Sequence, residues 1–499
     1  MTQSPDAKPT PPPEKLRFAT KLAFGAGDMG AGMTATLVAF SFLIFLTNVA
    51  HLRPALAGTV LLVGKVWDAL NDPIVGVLSD RTRSRWGRRH VWMIFSAIPF
   101  GILFFLQWVV PPFVQGSQWG LFWYYVAVSI LFNTAFTAVN LPYTALTPEL
   151  TSDYNERTSL NSFRFAFSIG GSLLALILGA VFSGAIESPQ QQYLWLGAAC
   201  AVLSVFPLYW CVVGTRHRAI SGSSDSPQEA GSLFAPLQAA LKRGLSVGRM
   251  VAWMRSRLQA ILENPAYRAF GFVIGIYLCS WLAFQLTAAM IPYYAVNWMK
   301  MDSYFVVALI VQTVAMVALF LWSFLSQKIG RKKVYFAGMG VWIIAQGGLF
   351  FLSPDRLGGL YLLCAMAGLG VATAYLIPWS MLTDVTDLDE LLNGQRREGT
   401  FYAFMVFLQK LGLALGLFLS GQALELAGFV ETPPGQLVPP EQPESALLAI
   451  RLVVGPVPTV LLVIGLALAY LYPISREIHA DIVLKLQQRR SDRESPSDR

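Results

Sequence analysis

The chain reads as an all-α polytopic membrane protein, and three observations carry that reading. Of its 499 residues, 55% are hydrophobic and only 13% charged, whereas about a quarter of a soluble domain is charged. Its mean hydropathy is +0.51. The apolar residues gather into twelve segments, near 20–49, 56–79, 90–111, 119–147, 161–185, 193–214, 266–297, 303–327, 333–353, 357–385, 399–428 and 446–473, each long enough for a helical span of about 20 residues.

In chain order, residues 1–19 form a Pro-rich polar tail with no apolar core of a cleaved signal, expected to be disordered and cytoplasmic. Residues 20–214 hold the first six segments. Residues 215–265 form a linker containing Gly222-Ser-Ser-Asp-Ser226 and a basic amphipathic stretch from Leu233 to Leu262, expected to lie partly helical on the membrane surface. Residues 266–473 hold the second six segments, and 474–499 a polar cytoplasmic tail.

The net charge of +8 sits in short loops. Arg81, Arg83, Arg85, Arg88 and Arg89 follow segment two, and Lys328, Arg331, Lys332 and Lys333 follow segment eight. The opposite loops hold only Arg53, Lys300 and Arg356, so both termini are expected on the cytoplasmic side of a plasma or inner membrane. Topology explains these charges, and a nucleic-acid partner is excluded. The four cysteines lie in apolar runs without ligand spacing, and the four histidines, His51, His90, His217 and His479, fall in loops, at span ends or in the tail, so neither a metal centre nor a histidine proton relay is expected. With no nucleotide loop or nucleophile–base pair, the chain reads as no enzyme and as needing no organic cofactor.

The chemistry concentrates in Gly64-Lys65-Val-Trp67-Asp68-Ala-Leu-Asn71-Asp72-Pro73. Asp68, Asn71 and Asp72 are spaced i, i+3, i+4, which stacks three oxygen-bearing side chains on one helix face. Ionisable groups are costly in hydrocarbon and are kept there to hold an ion, a substrate or each other. A pair between Asp68 and Lys65, one turn earlier, would account for one acid and leave Asp72 and Asn71 over. A hard cation wants several oxygens. Segment four adds Asn133, Thr134, Thr137 and Asn140 before Leu141-Pro142-Tyr143; the first two suit interhelical hydrogen bonding, and Thr137 with Asn140 could face Asp72.

An internal repeat appears in Gly76-Val-Leu-Ser-Asp80-Arg81…Gly87-Arg88-Arg89 and Phe324-Leu-Ser-Gln327-Lys328-Ile-Gly330-Arg331-Lys332. It resembles the cytoplasmic loop signature of the major facilitator superfamily, which implies two six-helix bundles with a site between them near mid-membrane. Lys21-Leu-Ala-Phe-Gly25-Ala-Gly27, Trp67-Asp68-Ala-Leu-Asn71-Asp72-Pro73, Arg83-Ser-Arg85-Trp86-Gly87, Leu141-Pro142-Tyr143 and Gly394-Gln-Arg396-Arg397-Glu398-Gly399 resemble, in order, the glycoside–pentoside–hexuronide:cation symporter family. That resemblance implies that Asp68, Asn71, Asp72 and Thr137 bind Na⁺, Li⁺ or H⁺, and that Arg164 contacts the solute. The family's two sugar-gripping acids fall on Gly32 and Asn140 and its following tryptophan on Thr144, with Asp28 one turn before Gly32 as a replacement. Tyr375 of segment ten joins the expected solute-facing set.

The same motifs resemble the vertebrate sodium-dependent lysophosphatidylcholine symporters, whose helix-eleven lysine matches Lys410. Inside an apolar run, Lys410 must snorkel, pair with Asp384 or Asp387, or meet an anionic solute. Glu149, Asp153 and Arg157 after segment four, and Asp384, Asp387, Arg396 and Arg397 around the loop after segment ten, occupy equivalent places in the two halves. They are expected to form a cytoplasmic gate or else to be solvated loop charges. The resulting expectation is a monomeric cation-coupled symporter (Na⁺ or H⁺) of a small-molecule sugar or glycoside, in contact with membrane lipid. A lysophospholipid or other amphipathic anion is the alternative solute, and a non-transporting sensor or scaffold the alternative of another class.

Overall fold

The computed structural model describes residues 16–151, 153–221, 264–394, 398–431 and 440–494. Among these, the regular elements are helices. The first bundle comprises α1 (Phe18–Asn48), α2 (Pro54–Arg81), α3 (His90–Leu106), α4 (Gln118–Thr144), α5 (Tyr154–Ala185) and α6 (Pro189–Ser221). The second comprises α7 (Pro265–Tyr293, continued by a π turn at Tyr294–Trp298), α8 (Phe305–Ile329), α9 (Arg331–Phe351), α10 (Leu357–Asn393), α11 (Glu398–Leu426) and α12 (Glu444–Leu471). A further helix, α13 (Arg476–Glu494), follows.

Ten of the twelve helices in the two bundles are long and apolar enough to cross a membrane. The other two are informative: α3 has only 17 residues, and α2, with 28, carries Lys65, Asp68 and Asp72 in its middle. Local chemistry sets several ends. Ser117 caps α4 by accepting from the Gly120 amide, and Asn264 caps α7 by accepting from Ala266. Gly394 ends α10 at a φ of 70° that favours glycine. α1 is interrupted at Gly27–Asp28 and again by a π turn at Val38–Phe42, irregularities that open a helix toward a site.

Two sequence boundaries move. α6 continues to Ser221, seven residues into the range expected to be linker; 222–263 lie outside the described residues, as do 1–15. The C-terminal tail is a docked helix. Ile482 and Leu486 of α13 are buried, Arg476 donates to the Lys328 carbonyl (2.7 Å) and Arg489 to that of Leu391 (2.6 Å). His479 Nε2 lies 3.1 Å from both Asp384 and Asp387, and the Asp387 hydrogen bond holds the imidazole pKa above its ordinary value.

The bundles meet along α1 and α7, α2 and α11, and α5 and α8. The described hydrogen bonds that join them, apart from one mid-membrane cluster, lie at the end away from the basic loops. Thr47 bonds to Tyr293 (2.7 Å), Ser183 to Ser303 (2.9 Å) and Tyr193 to Tyr304 (3.1 Å). Glu425 of α11 accepts from the Ala55 amide (3.3 Å) at the N-terminus of α2, where a carboxylate is favoured by the helix dipole. The same crossing needs glycines: a Cβ on Gly58 would lie 3.0 Å from the Phe418 carbonyl oxygen, and one on Gly421 would run into that of Pro54.

Candidate cation and solute site

Midway along α2, Asp68 and Asp72 point at α4 and α11. Thr137 Oγ1 of α4 lies 3.0 Å from Asp68 Oδ1 and 3.2 Å from Asp72 Oδ1, so one hydroxyl reaches both carboxylates. Lys410 of α11 lies 2.6 Å from Asp72 Oδ2 and 3.1 Å from Asp68 Oδ2. Lys65 stands behind, 3.7 Å from Asp68 Oδ2 and donating to Asn133 Oδ1 at 3.0 Å. Asp68, Asn71 and Thr137 are buried, while the Asp72 carboxyl keeps 29% exposure and is the accessible rim of the group. Two carboxylates face two ammonium groups, so the cluster is neutral as it stands.

The i, i+3, i+4 spacing therefore does bring Asp68, Asn71 and Asp72 together, with Thr137 opposite. Asn133 and Thr134 tie α2 to α4, the latter by accepting from Trp67 Nε1 at 2.9 Å. Lys410 is the correction. Neither Asp384 nor Asp387 is its partner: Asp384 is engaged by Arg331 and His479, Asp387 by His479. The glycine crossing of α2 and α11 fixes the rotation of α11 and turns Lys410 toward the acids, which the sequence around Lys410 could not disclose.

The solute-facing candidates divide. Asp28 Oδ2 lies 3.5 Å from Arg164 Nε, which is itself buried without a hydrogen-bond partner. Gly32 has no room for an acid, because a Cβ there would collide with the Ser168 carbonyl oxygen of α5; Asp28, a turn earlier at the break in α1, is the acid that fits. Thr144 folds back on the Leu141 carbonyl (2.9 Å), and Asn140 is half-buried. Tyr375 belongs to an aromatic wall in the second bundle, 5.5 Å from Trp281 and 5.6 Å from Phe284 between ring centres. Trp281 and Phe284 carry no polar spacing signal and were missed in the sequence.

The gate residues pair inside their own bundles in this conformation. Glu149 meets Arg88 and Arg89, Asp153 caps α5 by accepting from the Glu156 amide (2.8 Å), and Arg157 donates to the Thr151 carbonyl (2.9 Å). Arg396 and Arg397 lie outside the described residues. Among the described residues no group of three or more His, Cys, Asp or Glu side chains could hold a resident metal ion.

Comparison with known proteins extends the geometry. The chain is 46% identical to an uncharacterized symporter of Synechocystis, across 96% of this chain and 98% of that protein. It is 29% identical to the sodium-dependent lysophosphatidylcholine symporter 1-A of Danio rerio, over 92% of this chain and 86% of that one. It is 27% identical to the inner membrane symporter YicJ of Escherichia coli, over 83% and 84%. Among solved structures, the nucleoside transporter NupG superposes with a TM-score of 0.59 at 13% identity, covering 91% of this chain and 99% of that one. A D-xylose-proton symporter superposes at 0.57 and 16% identity, covering 91% and 97%; both share the fold. The profile of the MFS/sugar transport protein family matches residues 23–476, and the chain belongs to that family of membrane transporters.

Proposed function

We propose that the chain is a cation-coupled symporter working by alternating access, with the coupling cation held by Asp68, Asp72, Thr137 and Asn71. The supporting observation is the Lys410 contact. An ammonium from the opposite bundle rests on the two carboxylates whose oxygens, with the Thr137 hydroxyl, form a donor set suited to a small hard cation. Lys410 is then the internal cation of the ion-free carrier, and the entering Na⁺ or H⁺ takes its place while the cluster stays neutral. With the basic loops on the cytoplasmic side, the latch at the other end makes this the inward-facing conformation. The gate acids, paired within their bundles here, would be free to meet across the cytoplasmic side in the other state.

For the solute, an amphipath with an anionic head is the reading best supported. Arg164 carries an unspent donor beside Asp28, the second bundle holds the aromatic group of Tyr375, Trp281 and Phe284, and several relatives are named as lysophosphatidylcholine symporters. A sugar or glycoside is the second reading, favoured by the family description. Counterflow of labelled lysolipids, sugars and organic anions in proteoliposomes, under imposed Na⁺ or proton gradients, decides among them. No counterflow of any solute under either gradient would remove the transport reading in favour of a sensor.

Arg164→Ala should weaken solute binding by about 1.5–3 kcal/mol, the value of a hydrogen bond to a charged group, and leave cation binding within twofold. Unchanged solute affinity with a collapse of cation affinity would remove Arg164 from the solute site.

Gly421→Val should overpack the α2–α11 crossing by about 1–3 kcal/mol and shift the carrier away from the latched state. Labelling of a Thr47→Cys reporter from the outside should rise several-fold over the same reporter with Gly421 intact. Unchanged labelling would mean that the crossing does not limit closure.

A further inference from the structure

Behind the carboxylate cluster, inside the first bundle, lies a cavity of about 10 Å³ lined by Lys65, Gln107, Ser129 and Asn133 together with apolar side chains. Two of its lining residues, Gln107 and Ser129, carry a buried polar atom with no hydrogen-bond partner, Oε1 and Oγ, and are only 2% and 3% exposed. A buried polar atom left unpaired is costly, and two that line one cavity point to a shared ligand.

The lining selects that ligand. A cation is disfavoured by the Lys65 ammonium and an anion by the Gln107 carbonyl oxygen. The volume fits one water, which needs two to four polar partners. Lys65 has three donors; Asn133 Oδ1 takes one, and Asp68 at 3.7 Å is too distant for a good hydrogen bond.

We propose that this cavity is a binding site for a single structural water, which accepts from Lys65, donates to Gln107 Oε1 and bonds to the Ser129 hydroxyl. Gln107 and Ser129 are thereby positioning residues for the coupling-cation site. The water holds Lys65 back from Asp68, so that the Asp68 carboxylate stays available to an entering cation. Without the polar back wall, Lys65 closes onto Asp68 and competes with that cation. The proposal deepens the coupled-symport reading and rests on it.

The test uses the purified full-length carrier with Na⁺ alone, followed by thermal shift, and the same titration by protons. Gln107→Leu should raise the half-saturating cation concentration about tenfold, and Ser129→Ala, a smaller change kept in case the first variant fails to fold, several-fold. In a Lys65→Met background Gln107→Leu should add nothing, because no ammonium remains to close. An equal loss in both backgrounds, or no loss in either single variant, overturns the proposal. A structure at a resolution that resolves waters should place one within hydrogen-bond distance of Gln107 and Ser129, and a dry cavity there also overturns it. If the unmutated protein responds to neither Na⁺ nor pH, the coupling reading fails, and the density at Gln107 still decides the water site.

Discussion

Asp72→Asn should end cation-driven accumulation while leaving a folded carrier. The substitution removes a charged oxygen ligand that neither Asn71 nor Thr137 replaces, and it leaves Lys410 with Asp68 alone. Truncating one partner of a hydrogen-bonded charge pair costs about 2–5 kcal/mol when it is buried; with the Asp72 side chain 29% exposed the low end applies, and cation affinity should fall about 30-fold. Asp68→Asn should be worse for folding, because Asp68 is 1% exposed and both lysines would be left sharing Asp72, a buried charge excess worth about 3–5 kcal/mol. Restoring neutrality separates fold from function: Asp72→Asn combined with Lys410→Gln should recover yield and melting temperature without recovering coupling. The measurements are a cation titration by thermal shift and concentrative uptake in proteoliposomes. Normal concentrative uptake in either single variant would remove these acids from the coupling site.

The contrast between what was legible in the sequence and what was not follows from helix geometry. The cluster on α2 was legible because spacing within one helix fixes which side chains share a face, whatever surrounds them. The two sets of six helices were legible because apolar length and loop charge are local properties. Partners across helices were not. The expectations for Lys410, to snorkel, to pair with Asp384 or Asp387, or to meet an anionic solute, do not include Asp68 and Asp72, where its ammonium lies, since the rotation of α11 depends on a glycine contact with α2 that no pattern along α11 encodes. Gln107 gave no signal, being one polar residue just past the end of a short apolar helix. The docking of α13 was hidden for a related reason: Ile482 and Leu486 read as ordinary residues of a charged tail until Arg476, His479 and Arg489 find the cytoplasmic ends of α8 and α10. The empty position at Gly32 shows the converse, a departure from the family pattern that the backbone contact with α5 explains.

Lys410→Ala tests the exchange of one cation for another most directly. In the unmutated carrier the incoming ion must displace an ammonium held at 2.6 Å and 3.1 Å, so part of its binding free energy is spent on that displacement. Deleting the ammonium should tighten cation binding at least about tenfold, or about 1.4 kcal/mol, with Lys65 alone balancing two acids in the ion-free state. Net uptake should nevertheless fail, because the ion-free carrier must then reorient with an uncompensated carboxylate in a medium where such charges are costly. Exchange between cation-loaded forms avoids that step, so counterflow should survive while accumulation does not. If Lys410 were instead the counter-charge of an anionic solute, the same variant would lose solute affinity and leave the cation titration unchanged, and that pattern would defeat the displacement mechanism. Adding Asp384→Asn should restore nothing, since Asp384 answers to Arg331 and His479. Recovery in that double variant would mean that Lys410 swings to α10 at another stage of the cycle, and that its contact with Asp68 and Asp72 is a resting place rather than the coupling device.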